Sequence, residues 1–187
     1  MNVLLIDRDG TINQSPGFGR YVESWNDFEF REDTVLAMHE LSLEGYSFIV
    51  ITNQSGIAQG IVNADEVERI HQNMVAALAV RGIPILEVYS CPDHPDLGSV
   101  RRKPAPGMFL EAALEHGFQL DRVLYVGDDI RDCSAAAAAG CGMVFLTDGP
   151  MPDNIPENRL HFSARGSLVE ALEDIRGFYS TNLESAS

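Results

Sequence analysis

The sequence predicts an α/β fold: a Rossmann-like parallel sheet with helices on both faces and no cap domain. Short strand-like apolar runs alternate with helical stretches, as they do when parallel strands are joined by crossover helices. Glycines stand where the helical stretches should stop, and polar residues fall just past the ends of the strand-like runs, where an open parallel sheet collects its ligand-binding loops.

Strands are expected at Val3 to Ile6, Ser47 to Ile51, Ile85 to Tyr89, Arg122 to Val126 and Met143 to Leu146. The first helix is expected from Thr34 to Glu44, with Asp33 as N-cap and Gly45 as its stop. The second runs from Ala64 to Arg81, opened by Asn63 and Glu66 as a capping-box-like pair and stopped by Gly82. A third starts at Pro106 and ends before Gly117, and a fourth covers Ile130 to Ala139, where Gly140 ends it. A last amphipathic stretch, Ser167 to Phe178, follows the proline-bearing loop Asp148 to Asn158. Residues 180–187 read as a frayed tail, leaving one domain over 1–179.

The chain has 187 residues, 45% of them hydrophobic, which suits one compact domain with a real core. Neither a secretory signal nor a run of roughly 20 apolar residues is present, so a soluble, cytoplasmic protein that engages no membrane is expected. Its three cysteines, Cys91, Cys133 and Cys141, are too few and too scattered for a secreted disulfide framework. A formal net charge of -15 argues against a nucleic-acid partner. The run Arg101-Arg102-Lys103 is the one basic cluster. A monomer acting on a small ligand is expected.

Asp7 and Asp9 follow the first strand, Thr52 and Asn53 the second, and Asp128 the fourth, so separate pieces of chain deliver carboxylates, a hydroxyl and an amide to one crevice. Any one of these acids alone reads as a turn residue or helix cap. Taken in order, Asp7-Arg8-Asp9-Gly10-Thr11, then Thr52, then Lys103, then Gly127-Asp128-Asp129 with Asp132, the set resembles the four motifs of the haloacid dehalogenase-like phosphatases.

The residue types suit phosphoryl transfer. Asp7 and Asp128 are placed to hold Mg²⁺, which would neutralise a substrate phosphate so that Asp7 can attack it. Asp9, two residues on, would protonate the leaving oxygen and then take a proton from water, which requires it to be protonated while Asp7 is ionised. Lys103, Thr52 and Asn53 would bind the phosphate. Gly10 allows close backbone approach to the substrate, and the resemblance implies the Asp9 carbonyl as a further metal ligand. Asp132 is expected to support the metal through water or to orient Lys103, unless it is simply a solvated helical acid.

The gaps between motifs hold little beyond the expected elements: a flap from Ile12 to Arg31, and one helix, one strand and a loop between Asn53 and Arg102. Tyr21-Val22, Phe28-Glu29-Phe30, Ile51 to Ala58, Cys91-Pro92 and Arg102-Lys103-Pro104 with Pro106-Gly107-Met108 are similar to the capless D-glycero-D-manno-heptose 1,7-bisphosphate phosphatases. Histidinol-phosphate phosphatases share this framework, and Ser55 favours the heptose branch. The resemblance implies removal of the C7 phosphate from a sugar bisphosphate. Another small phosphomonoester, or an inactive relative that only binds phosphorylated ligands, are the alternatives. Arg102, beside the catalytic lysine, would read the distal part of the substrate.

The chain departs from this family at Gln59, where an arginine is usual, and at Asp129, where lysine is common. Of the zinc ligands implied for the family loop it keeps only Cys91, with Asp93, Ser99 and Arg101 at the other three positions and His94 out of register. No structural zinc is expected. A salt bridge between Asp93 and Arg101, with Pro92 and Pro95 stiffening the loop, is expected in its place.

Overall fold

The computed structural model describes residues 2–158 and 160–184. Six strands form one sheet: β1 (Asn2–Ile6), β2 (Tyr46–Asn53), β3 (Ile85–Cys91), β4 (Leu124–Gly127), β5 (Gly142–Leu146) and β6 (Phe162–Arg165). Their order is β3-β2-β1-β4-β5-β6, and every neighbouring pair is parallel. The helices are α1 (Glu32–Leu43), α2 (Ala64–Val80), α3 (Gly107–His116), α4 (Ile130–Ala139) and α5 (Leu172–Glu184).

Successive side chains of a strand point to opposite faces. In β1, Leu4 and Ile6 join the core under α1, α2 and α5, where Met38, Met74 and Ile175 are buried. Val3 and Leu5 join the opposite core, against Phe109 of α3 and Ala135 of α4. Both faces of the sheet are therefore covered, as in other parallel sheets. The connections after β1 and β2 lead to one edge of the sheet, and those after β4 and β5 to the other. The order reverses between β1 and β4, so the crevice at the carboxyl ends of these two strands is the topological switch point.

The expected strands and helices are present, with shifted ends. Asp33 is not the N-cap of α1: the helix begins at Glu32 behind Arg31, and Asp33 pairs with Arg31 at 3.1 Å. Asn63 caps α2 by accepting from the Asp65 N–H at 2.8 Å, while Glu66 turns to Arg69 rather than back to Asn63. α5 starts at Leu172 instead of Ser167 and runs to Glu184, into the segment expected to fray, whose last residues, 185–187, lie outside the described residues. β6 is not among the strands the sequence predicts. It is a four-residue edge strand in which Phe162 is the one large apolar side chain, and pairing with β5 rather than its own propensity makes it extended. Between β1 and α1 the flap carries only a short 3₁₀ turn, Trp25–Asp27, and isolated bridges. No described helix is long and apolar enough to cross a membrane.

Candidate active site

The chain leaves β1 at Asp7, whose N–H donates to the Val126 carbonyl of β4 at 2.8 Å and so fixes the residue beside the switch point. By alternation Asp7 continues the face of Val3 and Leu5, the side on which Tyr125 of β4 lies. Lys103 reaches this point from the loop before α3. The Asn53 side chain holds the Lys103 main chain at both ends, accepting from its N–H and donating to its carbonyl, each at 3.0 Å. Asn53, expected to bind phosphate, thus uses its amide to place the lysine.

The Lys103 ammonium is 3% exposed and lies 2.8 Å from Asp7 Oδ1 and 2.7 Å from Asp132 Oδ1. It donates to the Ile51 carbonyl at 3.0 Å and to the Tyr125 hydroxyl at 2.7 Å. Burial works against its charge, but Asp132 and Asp7 outweigh that and hold its pKa above the ordinary lysine value. Asp132 is 1% exposed, so it is no solvated helical acid. Its Oδ2 accepts from the Asp129 N–H while Asp129 caps α4, a reciprocal capping box that aims Asp132 inward at Lys103. Asp129, where relatives commonly carry lysine, is occupied by this cap and by an ion pair with Arg131 at 2.7 Å.

Asp7, Asp128 and Asp132 are the one His/Cys/Asp/Glu cluster of metal-ligating geometry among the described residues, with ligand atoms within 4.8 Å of one another. Burial, with Asp132 and Asp128 adding to it, pushes the Asp7 pKa well above the usual carboxylate range against the pull of Lys103. Burial and Asp132 raise Asp128 to about 6. Asp7 Oδ1 is buried and accepts no aligned hydrogen bond. Clustered carboxylates offering only oxygen, one of them unsatisfied, fit a hard divalent cation such as Mg²⁺. Gly10, with φ +88°, makes room: a Cβ there would lie 2.0 Å from Asp128 Oδ2. Thr11 Oγ1 donates to Asp128 Oδ1 at 3.3 Å.

Asp9 departs from expectation. Its carboxylate is turned away from the acid cluster and accepts from Arg8, Asn13 and Gln54, with the shortest bond from Arg8 at 2.7 Å. Burial would raise its pKa, but Arg8 first, and then Gln54 and Asn13, hold it below the ordinary value. In this geometry Asp9 is therefore ionised rather than protonated, because a fully buried guanidinium is its nearest neighbour. Arg8 is itself held at 2.9 Å by Nε2 of the buried His71, whose pKa is pushed down to about 3 by burial and by Arg8, so the ring is neutral and accepts. Thr52 is buried, and its Oγ1 accepts from Gln54 at 2.9 Å.

These groups open on a cleft of about 480 Å³ whose outer wall includes the flap residues Phe18, Arg20 and Tyr21 as well as Arg102. Gln59 donates to the Tyr21 hydroxyl at 2.7 Å, and that hydroxyl also meets Ser55 Oγ at 3.0 Å, which ties the flap to the turn after β2. The expected bridge between Asp93 and Arg101 is not formed. Arg101 pairs with Glu111 of α3 at 2.9 Å, while Asp93 accepts from the Cys91 thiol at 3.4 Å. Ser99 Oγ lies 3.8 Å from the same sulfur and accepts from the Arg101 N–H at 3.2 Å. Arg101 instead meets the Glu111 carboxylate in a forked pair, and an exposed pairing with Asp93 would be worth only about 0–1 kcal/mol. His94 accepts from the Asp96 N–H at the start of the 3₁₀ turn Pro95–Leu97. Arg102 donates to the Asp93 carbonyl at 3.4 Å and lines the cleft.

Sequence reasoning missed Tyr125, His71 and Gln54. All three look like core or framework residues from sequence, and only the fold brings them to the motif side chains.

Residues 2–140 match the family described as "Polynucleotide kinase 3 phosphatase". The chain is 34% identical over 181 residues to the D-glycero-beta-D-manno-heptose-1,7-bisphosphate 7-phosphatase of Photorhabdus laumondii, covering 93% of this chain and 95% of that one. It is 40% identical over 151 residues to the enzyme of the same name from Escherichia coli strain CFT073, covering 76% and 77%. The crystal structure of D,D-heptose 1.7-bisphosphate phosphatase from B. bronchiseptica, complexed with magnesium and phosphate, superposes with a TM-score of 0.83 at 30% identity, covering 95% of this chain and 99% of that one.

Gly10→Ala is expected to push Asp128 out of place, since the new Cβ meets its carboxylate at a distance no side chain tolerates. Turnover should fall by about a hundredfold or more, the scale of a displacement of order 1 Å in a catalytic group. Near-normal steady-state rates for this variant would contradict the close approach.

Proposed function

Since the chain belongs to the family of the D-glycero-D-manno-heptose 1,7-bisphosphate phosphatases, within the haloacid dehalogenase-like phosphatases, we propose that it removes the C7 phosphate of a heptose 1,7-bisphosphate through an aspartyl-phosphate on Asp7. The observation that carries this reading is the Asp7 carboxylate, buried at the mouth of the switch-point cleft with Lys103 at 2.8 Å and Asp128 beside it. Mg²⁺, held by Asp7 and Asp128 with the Asp9 carbonyl, would supply charge neutralisation of the phosphate.

The steps that fall to the chain's own residues are these. Asp7 attacks phosphorus as the bond to the leaving oxygen breaks, with Lys103 and Thr52 stabilising the transferring group. Asp9 gives its proton to the leaving oxygen. Water then attacks the aspartyl-phosphate and returns a proton to Asp9, releasing phosphate and restoring Asp7. Because Asp9 is ionised against Arg8 in the geometry described, its acid role requires it to leave that pair and take up a proton before the first step.

Arg102 supports a bisphosphate over histidinol phosphate. It makes no ion pair among the described residues, so its charge is available to a second phosphate, whereas the amine of histidinol phosphate would be repelled. The net charge of -15 speaks against a polynucleotide substrate. Phosphate release from heptose bisphosphate of either anomer, histidinol phosphate and an aryl phosphate tests the reading, with the heptose bisphosphate expected to be hydrolysed most efficiently. Asp7→Asn should abolish all of these activities. Asp9→Asn should slow sugar phosphates by about two to four orders of magnitude and spare the aryl phosphate, whose leaving group needs no proton. Residual sugar-phosphate turnover in Asp7→Asn would contradict the aspartyl-phosphate route, and equal losses on the two substrates would contradict Asp9 as the acid.

The loop from Cys91 to Arg101 is proposed to be tied by Cys91, Asp93 and Ser99 without zinc, since one thiol with a carboxylate and a hydroxyl falls short of the usual four-ligand set. Dialysed protein is expected to retain no stoichiometric zinc and to lose turnover in chelator until Mg²⁺ is returned. Tightly held zinc by elemental analysis, or full activity in chelator, would overturn this part.

A further inference from the structure

We infer that Tyr125 is a positioning residue for phosphoryl transfer, its buried hydroxyl fixing the direction in which the Lys103 ammonium faces Asp7; this rests on the reading of Asp7 and Lys103 given above. Tyr125 occupies β4 two residues before Gly127, a strand position that demands only an apolar side chain, and it is completely buried. A phenol at such a place leaves a hydroxyl that must find partners or destabilise the fold.

The partners are specific. The phenolic oxygen accepts from Lys103 Nζ at 2.7 Å, and its O–H faces Asp132 Oδ1 at 3.0 Å and the Ile51 carbonyl at 3.2 Å. Phe109 packs edge-on against the ring at 4.8 Å between centroids, while the hydroxyl itself is held by its three polar contacts.

An ammonium on a four-carbon stem rotates freely unless aligned bonds stop it. For Lys103 the aligned acceptors are the Ile51 carbonyl at 3.0 Å and the Tyr125 oxygen. Asp7 Oδ1, though only 2.8 Å away, accepts no aligned hydrogen bond. Two N–H groups are thus anchored to β2 and β4, and the third is shared between Asp132 Oδ1 at 2.7 Å and the cleft side, where Asp7 lies at 2.8 Å and a transferring phosphoryl group would meet it. Without the phenolic oxygen, one anchor is lost and the ammonium is free to turn away from Asp7, staying on Asp132 alone. The cleft geometry would be blurred while the fold and the substrate wall stayed as they are.

Tyr125→Phe removes the oxygen alone. In the full-length chain, kcat for a sugar phosphate should drop by about tenfold, the worth of one hydrogen bond to a charged group, with KM changed by less than about twofold. The side-chain ammonium resonance of Lys103, identified by its absence in Lys103→Met, should shift or broaden. Phe109→Leu is the packing control: it loosens the ring without touching the hydroxyl and should leave kcat within about twofold of the parent. An unchanged kcat, an unmoved resonance, or an equal loss in Phe109→Leu would each overturn the inference. Should Tyr125→Phe not fold, the natural sequence grown with 3-fluorotyrosine, whose phenol oxygen is a weaker acceptor, decides: the Lys103 resonance must move, and an unmoved one refutes the contact. A parent protein without phosphatase activity would instead refute the functional reading, and the resonance would still test Tyr125.

Discussion

The Lys103 ammonium sits between two buried carboxylates, 2.8 Å from Asp7 and 2.7 Å from Asp132. Removing charges from water costs several kcal/mol each unless geometry and hydrogen bonds compensate. The surroundings are arranged to compensate: Asn53 grips the lysine main chain, Ile51 and Tyr125 accept from its ammonium, and the α4 capping box aims Asp132 inward. These contacts come from β2, β4, the loop before α3 and the start of α4. The ion pairs therefore depend on the whole parallel sheet being in register, and the site cannot form before the fold does.

Three clustered carboxylates, Asp7, Asp128 and Asp132, share this one lysine. With Asp128 raised to about 6 by burial and Asp132, and with Gly10 opened to the width of its carboxylate, the site has more carboxylates than its lysine can balance. This residual demand favours a bound cation and, with it, an anionic ligand. Asp9 is held apart from the cluster by Arg8, which keeps its charge from adding to the excess. The separation lets two aspartates two residues apart carry different protonation behaviour, one set by its neighbours in the sheet and the other by a buried arginine.

Much of this was legible in the sequence because the motif residues sit at strand ends, where the chain's direction is fixed by the fold class. Asp7, Lys103 and Asp128 lie together at the switch point, and Asp132 lies against Lys103 within the same acid cluster. What was not legible depends on distance in space. The acid role expected of Asp9 presumed repulsion from Asp7, and nothing in the sequence says that Arg8 folds back onto it or that His71, from α2, holds Arg8 there. Asp93 and Arg101 looked complementary in alignment, but Glu111 on α3 is the partner that geometry offers to Arg101. Tyr125 reads as a core residue because it is one; its hydroxyl matters only through a lysine that is distant in sequence. β6 escaped notice because an edge strand takes its conformation from its neighbour.

The central claim is that one buried lysine, assisted by a cation, permits the acid cluster to exist, and urea unfolding of Lys103→Met with and without Mg²⁺ tests it most directly. Removing one partner of a buried ion pair should cost about 3–5 kcal/mol. Saturating Mg²⁺ should recover part of that loss, because binding to the folded state alone stabilises it by mass action. A variant as stable as the parent, and indifferent to Mg²⁺, would contradict the account.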